Sequence, residues 1–269
     1  MEILSSVGRN GINRHNDVIV VQRLLKNLNY NVGVLDGLCG ERTIHAIELF
    51  QRAFFGHIKP DGLVEPNKLT WKKLCGENLN TVEDTSLLTT LVDKPKKGAI
   101  NVGLVAVDNV LMLSLLGNPR ESYTEKDQPI TNEALKRNMI TSSVGPFKAT
   151  GLSLAVESLR LVLEEVKREQ PLVYGLLGSD GMKVCRLQRK SSKLISNHSW
   201  GIAIDITLNG KRDKCGDNKV LYGIALIAPI FCKHGWYWGA AFRKEDAMHF
   251  EASKTLVESW SKALGLGKK

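Results

Sequence analysis

Apolar positions recur at helical spacing through the first quarter of the chain. In residues 17–29 (DVIVVQRLLKNLN), Val18, Val21, Leu24, Leu25 and Leu28 share one face. That spacing predicts an amphipathic helix, with Asp17 as its N-cap. Residues 43–54 repeat the pattern with Ile44, Ile47 and Phe50, and 67–74 read as a third, short helix. Asp36-Gly37 and Asp61-Gly62 mark turns before the second and third helices. Residues 77–98 are polar and carry Pro95 and a lysine cluster, the composition of a linker. The expected division is therefore an all-α three-helix bundle at 1–76, a linker at 77–98 and a second domain at 99–269.

The second domain mixes two periods. Residues 111–116 are an apolar run ended by Gly117 and Pro119. Residues 152–167 form an amphipathic helix through Leu154, Leu159, Leu161, Leu163 and Val166, with Pro171 marking its end. From Val184 onward the pattern turns to short apolar runs between Gly, Asn and Asp; 201–208 and 223–231 are read as strands. Residues 255–264 return to helix. Helices followed by strands predict an α+β domain whose helices cover a small antiparallel sheet.

Composition narrows the partners. At 269 residues and 43% hydrophobic, the chain suits two small globular domains. Its longest apolar run near the start, Val18 to Val21, falls far short of the roughly 20 residues of a membrane helix, so no stable membrane insertion is expected. The opening MEILSSVGRNG has no basic start followed by an apolar stretch, which predicts synthesis in the cytoplasm without a signal peptide. The net charge of +9 favours an acidic partner. No basic block, zinc-finger spacing or interleaved basic and aromatic strand points to nucleic acid. Cys39, Cys75, Cys185, Cys215 and Cys232 form no CxxC pair, so free thiols are expected, with Cys185 a buried small hydrophobe.

Two segments carry candidate chemistry. In 196–205 (SNHSWGIAID), His198 and Asp205 flank Gly201, which can bend the chain so that the two side chains meet. Ile202, Ile204 and Ile206 alternate with Ala203, Asp205 and Thr207, placing Asp205 on the face opposite the isoleucines. In 245–251 (EDAMHFE), Asp246 stands three residues before His249. A hydrolytic zinc needs three nitrogen or oxygen ligands, an open position for water, and a carboxylate that takes a proton without binding the metal. His198, Asp205 and His249 supply such ligands and Asp246 such a base. Each also has a structural reading, as a packed histidine beside Trp200 or as an aspartate ending a strand. His234 has no carboxylate at matching spacing and reads as structural, and His15, His45 and His57 have no partner pattern.

Two resemblances sharpen these readings. Val21-Gln22, Leu24-Leu25, Asp36-Gly37, Gly40, Thr43, Ala46-Ile47, Phe50-Gln51, Asp61-Gly62 and Leu74 resemble the three-helix peptidoglycan-binding module of wall hydrolases. Ser196, His198, Gly201, Ala203 and Asp205, with Asp246 and His249, follow the pattern SxHxxGxAxD and acid-x-x-His. They resemble the zinc D-alanyl-D-alanine carboxypeptidase and L-alanyl-D-glutamate endopeptidase family. Residues 116–120 (LGNPR), 145–147 (GPF), Gly151, 158–160 (SLR) and 235–239 (GWYWG) extend the likeness across about 105–260.

The resemblance implies Zn2+ on His198, Asp205 and His249, with Asp246 as general base and acid. Arg186 falls where the family places an arginine facing substrate and oxyanion, and Arg189 competes for that role. Ser196 is placed to hydrogen-bond near the site, while Trp236 and Trp238 fit core or substrate contact equally. The implied protein is a monomeric peptidase of bacterial peptidoglycan, made in a host cytoplasm and acting on the wall after release. The L-alanyl–D-glutamate bond suits such a phage lysin. A D-alanyl–D-alanine carboxypeptidase, a remodelling enzyme, a delivered toxin or a non-catalytic wall-binding protein are the alternatives.

Overall fold

A buried glutamine on each of two successive helices organises the start of the chain. The computed structural model describes residues 2–55, 60–76, 86, 88–96 and 98–267, and the chain divides into two units, Met1–Ser86 and Leu87–Lys269. In the first unit α1 (His15–Asn27), α2 (Glu41–Phe55) and α3 (Leu69–Leu74) enclose Val18, Val21, Leu25, Ile47, Phe50 and Trp71. Gln22 on α1 shares its side-chain N–H donors among Asp36 Oδ1 at 3.0 Å, the Leu38 carbonyl at 3.1 Å and Thr43 Oγ1 at 3.1 Å, and accepts from the Gly37 amide at 3.1 Å. Gln51 on α2 makes the matching set with Asp61 Oδ1 at 2.6 Å, the Leu63 carbonyl at 3.0 Å, Thr70 Oγ1 at 3.2 Å and the Gly62 amide at 2.9 Å. The unit is thus built twice on one device: a helix whose glutamine locks the Asp-Gly-Leu turn that follows it and the threonine of the next helix.

Two expectations for this unit change. It is not wholly helical, because β1 (Val7–Gly8) pairs antiparallel with β2 (Leu63–Val64). Two-residue strands are too short to show an alternating pattern. Asp17 is not the N-cap of α1; Arg14 holds that place, without a side-chain bond. The Asp17 carboxylate instead accepts from the amides of Leu4 and Ser5 and the Ser5 hydroxyl, tying the incoming chain to the helix. His57 lies outside the described residues.

Among its described residues, the linker expected at 77–98 contains a strand. Residues 77–85, 87 and 97 lie outside the described residues. Leu91–Asp93 forms β3, paired with β8 (Lys219–Leu221) of the second unit. Its partner lies far along the sequence, so local composition could not reveal the pairing.

The second unit continues with α4 (Asn109–Leu116), capped by the Asp108 side chain, and α5 (Glu133–Arg137). β4 (Met139–Ser143) and β5 (Lys148–Leu152) form a hairpin that leads into α6 (Ser153–Glu169). Pro171 opens the next short helix, α7 (Pro171–Tyr174), at a position where its missing N–H costs nothing. The central sheet has the order β6–β7–β10–β9, antiparallel throughout, from Leu177–Gly181 (β6), Ala203–Leu208 (β7), Trp236–Trp238 (β9) and His249–Ala252 (β10). The α+β architecture with a small antiparallel sheet is the expected one.

Residues 223–231 are not a strand. They belong to α8 (Tyr222–Lys233), nearly every residue of which is buried. A segment apolar on all sides carries no helical stripe, so periodicity could not separate buried helix from buried strand. Phe231 of α8 stacks on Phe250 of β10, with ring centroids 4.1 Å apart, and Trp238 of β9 lies parallel to the same ring. Trp236 and Trp238 are core residues, fully buried, their indole N–H groups donated to Ser158 Oγ and the Ala247 carbonyl. α9 (Lys254–Ala263) closes the unit. Among the described residues no helix is long and apolar enough to cross a membrane.

The duplicated glutamine device generates a test. Gln51→Ala or Gln22→Ala leaves a glycine amide and a turn aspartate without their buried partner, and each is expected to destabilise the first unit by about 2–4 kcal/mol. Calorimetry of the full chain measures it. A loss below about 0.5 kcal/mol would show the amide contacts to be incidental.

Candidate metal centre

Three segments bring the candidate ligands together. His198 sits in a 3-10 turn, Asn197–Trp200, that ends at Gly201 in the left-handed conformation, φ 64°. A Cβ at Gly201 would lie 2.8 Å from Gly151 Cα and from the Leu152 amide, so only glycine lets the turn pack there and pass directly into β7. Asp205 lies on β7 and His249 opens β10, and the two are register partners. The backbone bonds from Ile206 N to Met248 O and from Ala252 N to Ile202 O flank this pair. Asp205 and His249 therefore occupy a non-hydrogen-bonded position, where facing Cα atoms approach to about 4.5 Å and side chains come closest.

The donor atoms converge. His198 Nε2 lies 3.2 Å from His249 Nδ1 and 3.3 Å from Asp205 Oδ1, and His249 Nδ1 lies 3.0 Å from the same oxygen. The other nitrogen of each ring is engaged. His198 Nδ1 donates to the Met182 carbonyl at 3.0 Å, and His249 Nε2 donates to Glu251 at 3.0 Å. A carbonyl and a carboxylate only accept, so both neutral imidazoles turn lone pairs toward Asp205. Three acceptors then face one another in a largely buried place, an arrangement that calls for a cation.

A metal ion fits that demand. A tetrahedral zinc with bonds of about 2.0–2.1 Å sets its ligand atoms about 3.3–3.4 Å apart, and the observed separations of 3.0–3.3 Å are close to it. Among the described residues His198, Asp205 and His249 form the group able to hold a metal. Electrostatics agree. Burial works to lower the His249 pKa, but hydrogen bonds and charges from Asp205 and Glu251 raise it to about 10. Burial opposes ionisation of Asp205, yet the charges and hydrogen bonds of His198 and His249 hold its pKa far below the usual carboxylate range.

Asp246 stands beside the cluster rather than in it. It lies in the loop before β10; its amide donates to the Gly239 carbonyl and its carbonyl accepts from the His249 amide. A Cβ at Gly239 would meet the Asp246 carbonyl oxygen at 2.5 Å, so this turn also depends on glycine. Burial, offset by His249 and reinforced by Asp205, raises the Asp246 pKa. Its carboxyl therefore senses the cluster without joining it. Glu245, its neighbour, is buried and accepts from the Gly216 and Asn218 amides, a structural use.

Other residues separate by what they touch. The backbone of Arg186 is fixed next to His198, its amide donating to Ser199 Oγ and its carbonyl accepting from the Ser196 amide, while its guanidinium donates to the Leu187 carbonyl. Arg189 is exposed. Cys185 is fully buried. His234 has a carboxylate partner after all, Glu165 on α6 at 2.6 Å, too distant in sequence for spacing to show. Glu251 is the residue that the motif did not single out as a partner of the ligands. Its signal was present, since it stands two positions after His249 and therefore on the same strand face.

Comparison with protein families places this geometry. Residues 189–252, which contain all three converging side chains and Asp246, match the model described as D-alanyl-D-alanine carboxypeptidase. The second unit carries a zinc metallopeptidase domain of that family. Residues 14–74 match a peptidoglycan binding domain, so the peptidase domain follows a wall-binding one. Arg186 lies outside the matched segment of the peptidase domain. Searches of curated proteins and of solved structures returned no match.

The raised His249 pKa has a measurable consequence for the peptidase domain. In metal-free protein the imidazole is expected to stay protonated until about pH 10. A raised folded-state pKa contributes stability that is complete below the unfolded value of about 6.5 and is lost as pH rises through about 10. NMR titration of chelator-treated protein would show it, and zinc added at pH 7 should release that proton. An imidazole titrating near 6.5 in the metal-free state would contradict the geometry.

Proposed function

We propose that the chain is a zinc-dependent peptidase of bacterial peptidoglycan that hydrolyses the bond between L-alanine and D-glutamate in the stem peptide. One observation carries the hydrolytic reading: His198 Nε2, His249 Nδ1 and Asp205 Oδ1 lie 3.0–3.3 Å from one another, and a four-coordinate ion held by three such ligands would keep a position for water or substrate. When bound, zinc supplies Lewis-acid activation of a water and of the scissile carbonyl. Asp246 takes the proton of that water and returns it to the leaving amine. A carboxyl whose pKa is raised by burial is suited to hold a proton between those two steps. Arg186 is assigned to the oxyanion, its guanidinium exchanging the Leu187 carbonyl for substrate.

The choice of bond is supported by the build of the chain. A wall-binding domain concentrates the peptidase on an insoluble mesh, and only an internal cut opens a mesh. The net charge of +9 attracts the same acidic polymer. These features support a lytic role, with a monomer made in a host cytoplasm and acting on the wall after release. Cleavage of D-alanyl–D-alanine is the second reading, favoured by the description of the matched family. It would use the same residues.

Digestion of purified peptidoglycan, with mass spectrometry of the new ends, tests the bond. New L-alanine carboxyl ends and D-glutamate amino ends are expected, whereas free D-alanine alone would replace the endopeptidase reading with the carboxypeptidase one. Asp246→Ala is expected to keep its zinc and lose about 10²–10⁴-fold in turnover. His198→Ala should lose both. Near wild-type turnover in Asp246→Ala would remove that residue from the chemistry.

A further inference from the structure

Glu251 has no part in the hydrolysis as described, yet it is one of the least exposed charged residues in the chain, at 2%. It lies on β10 opposite Ala203, on the face shared by His249 and Asp205. Two hydrogen bonds end on one oxygen of the Glu251 carboxylate: His249 Nε2 donates at 3.0 Å and Asn197 Nδ2 at 2.7 Å. Among the described residues no lysine or arginine pairs with it; its ion-pair partner is His249. A buried carboxylate without a fixed cation is costly, so its charge is balanced through the His249 ring and whatever cation that ring faces.

The two donors belong to different ligand-bearing segments. His249 is itself a donor of the cluster, while Asn197 adjoins His198 in the 3-10 turn. One carboxylate oxygen therefore joins the strand that presents one imidazole to the turn that presents the other. Because the carboxylate only accepts, it fixes the His249 tautomer with the proton on Nε2 and the lone pair on Nδ1, toward Asp205. A side chain placed merely to fill space would not need this bond pattern, and an apolar one would leave His249 Nε2 unpaired.

We propose that Glu251 is the positioning residue of the metal centre, orienting His249 directly and His198 through Asn197. This rests on the zinc reading of the site. Glu251 never meets substrate; it acts by presenting two lone pairs to one ion and by strengthening the imidazole as a donor to it. Glu251→Gln keeps the shape and an acceptor oxygen but removes the charge. Glu251→Ala removes the acceptor, and Asn197→Ala cuts the link to the turn alone.

The test is zinc affinity by competition with a chromophoric chelator, together with the d–d absorption spectrum of the cobalt-substituted full-length chain. Wild type should bind one equivalent. Glu251→Gln is expected to bind about tenfold more weakly and Glu251→Ala about 10–100-fold more weakly, the usual range for an outer partner of a metal-binding histidine. The cobalt spectrum should change in both. Should Glu251→Ala fail to fold, the isosteric Glu251→Gln still decides the matter. Unchanged affinity and spectrum in Glu251→Gln, with or without a lower melting temperature, would overturn the positioning role and leave a structural one. Wild type that binds no zinc would overturn the metal reading itself, and this inference with it.

Discussion

Between β7 and β10, two backbone bonds, Ile206 N to Met248 O and Ala252 N to Ile202 O, set the register that brings Asp205 opposite His249. A slip of one residue would turn every side chain of either strand to the other face. The core prevents it. Ile204, Ile206 and Phe250 are fully buried on the reverse side, and Phe250 is held by the rings of Phe231 and Trp238. The apolar face thus determines where the polar face puts its donors, and the site inherits its geometry from the aromatic packing behind it.

The same register creates an electrostatic constraint. It places the His249 imidazole and the carboxylates of Asp205 and Glu251 on one face, the preceding turn adds His198, and the outer ring nitrogens are already committed to Met182 and Glu251. Without a cation, three acceptors would confront one another in a largely buried place. A proton on His249 meets that need in part, which is why its pKa rises to about 10. A divalent ion meets it from all three sides at once. Proton and metal would therefore compete for one place, which would couple metal binding to pH.

Much of this was legible in the sequence because the decisive residues are close together within each segment. Alternation of isoleucines in 201–208 located Asp205 on its face, and Gly201 marked the bend beside His198. The fold of the first unit followed from helical spacing and its Asp-Gly turns. What escaped was non-local. The glutamine locks join residues 10–21 positions apart, and β3 finds its partner more than a hundred residues away. The helix at 222–233 was hidden by being buried all round. Glu251 was visible as a residue but not as a partner, because its bond to Asn197 exists only once the turn has packed against β10.

The most direct test is crystallographic. Anomalous diffraction at the zinc absorption edge, from crystals grown with zinc, should show a single strong peak in the second unit about 2.0–2.2 Å from His198 Nε2, His249 Nδ1 and an Asp205 oxygen. A density map with no peak at these atoms, or one in which His249 binds through Nε2, would contradict the account.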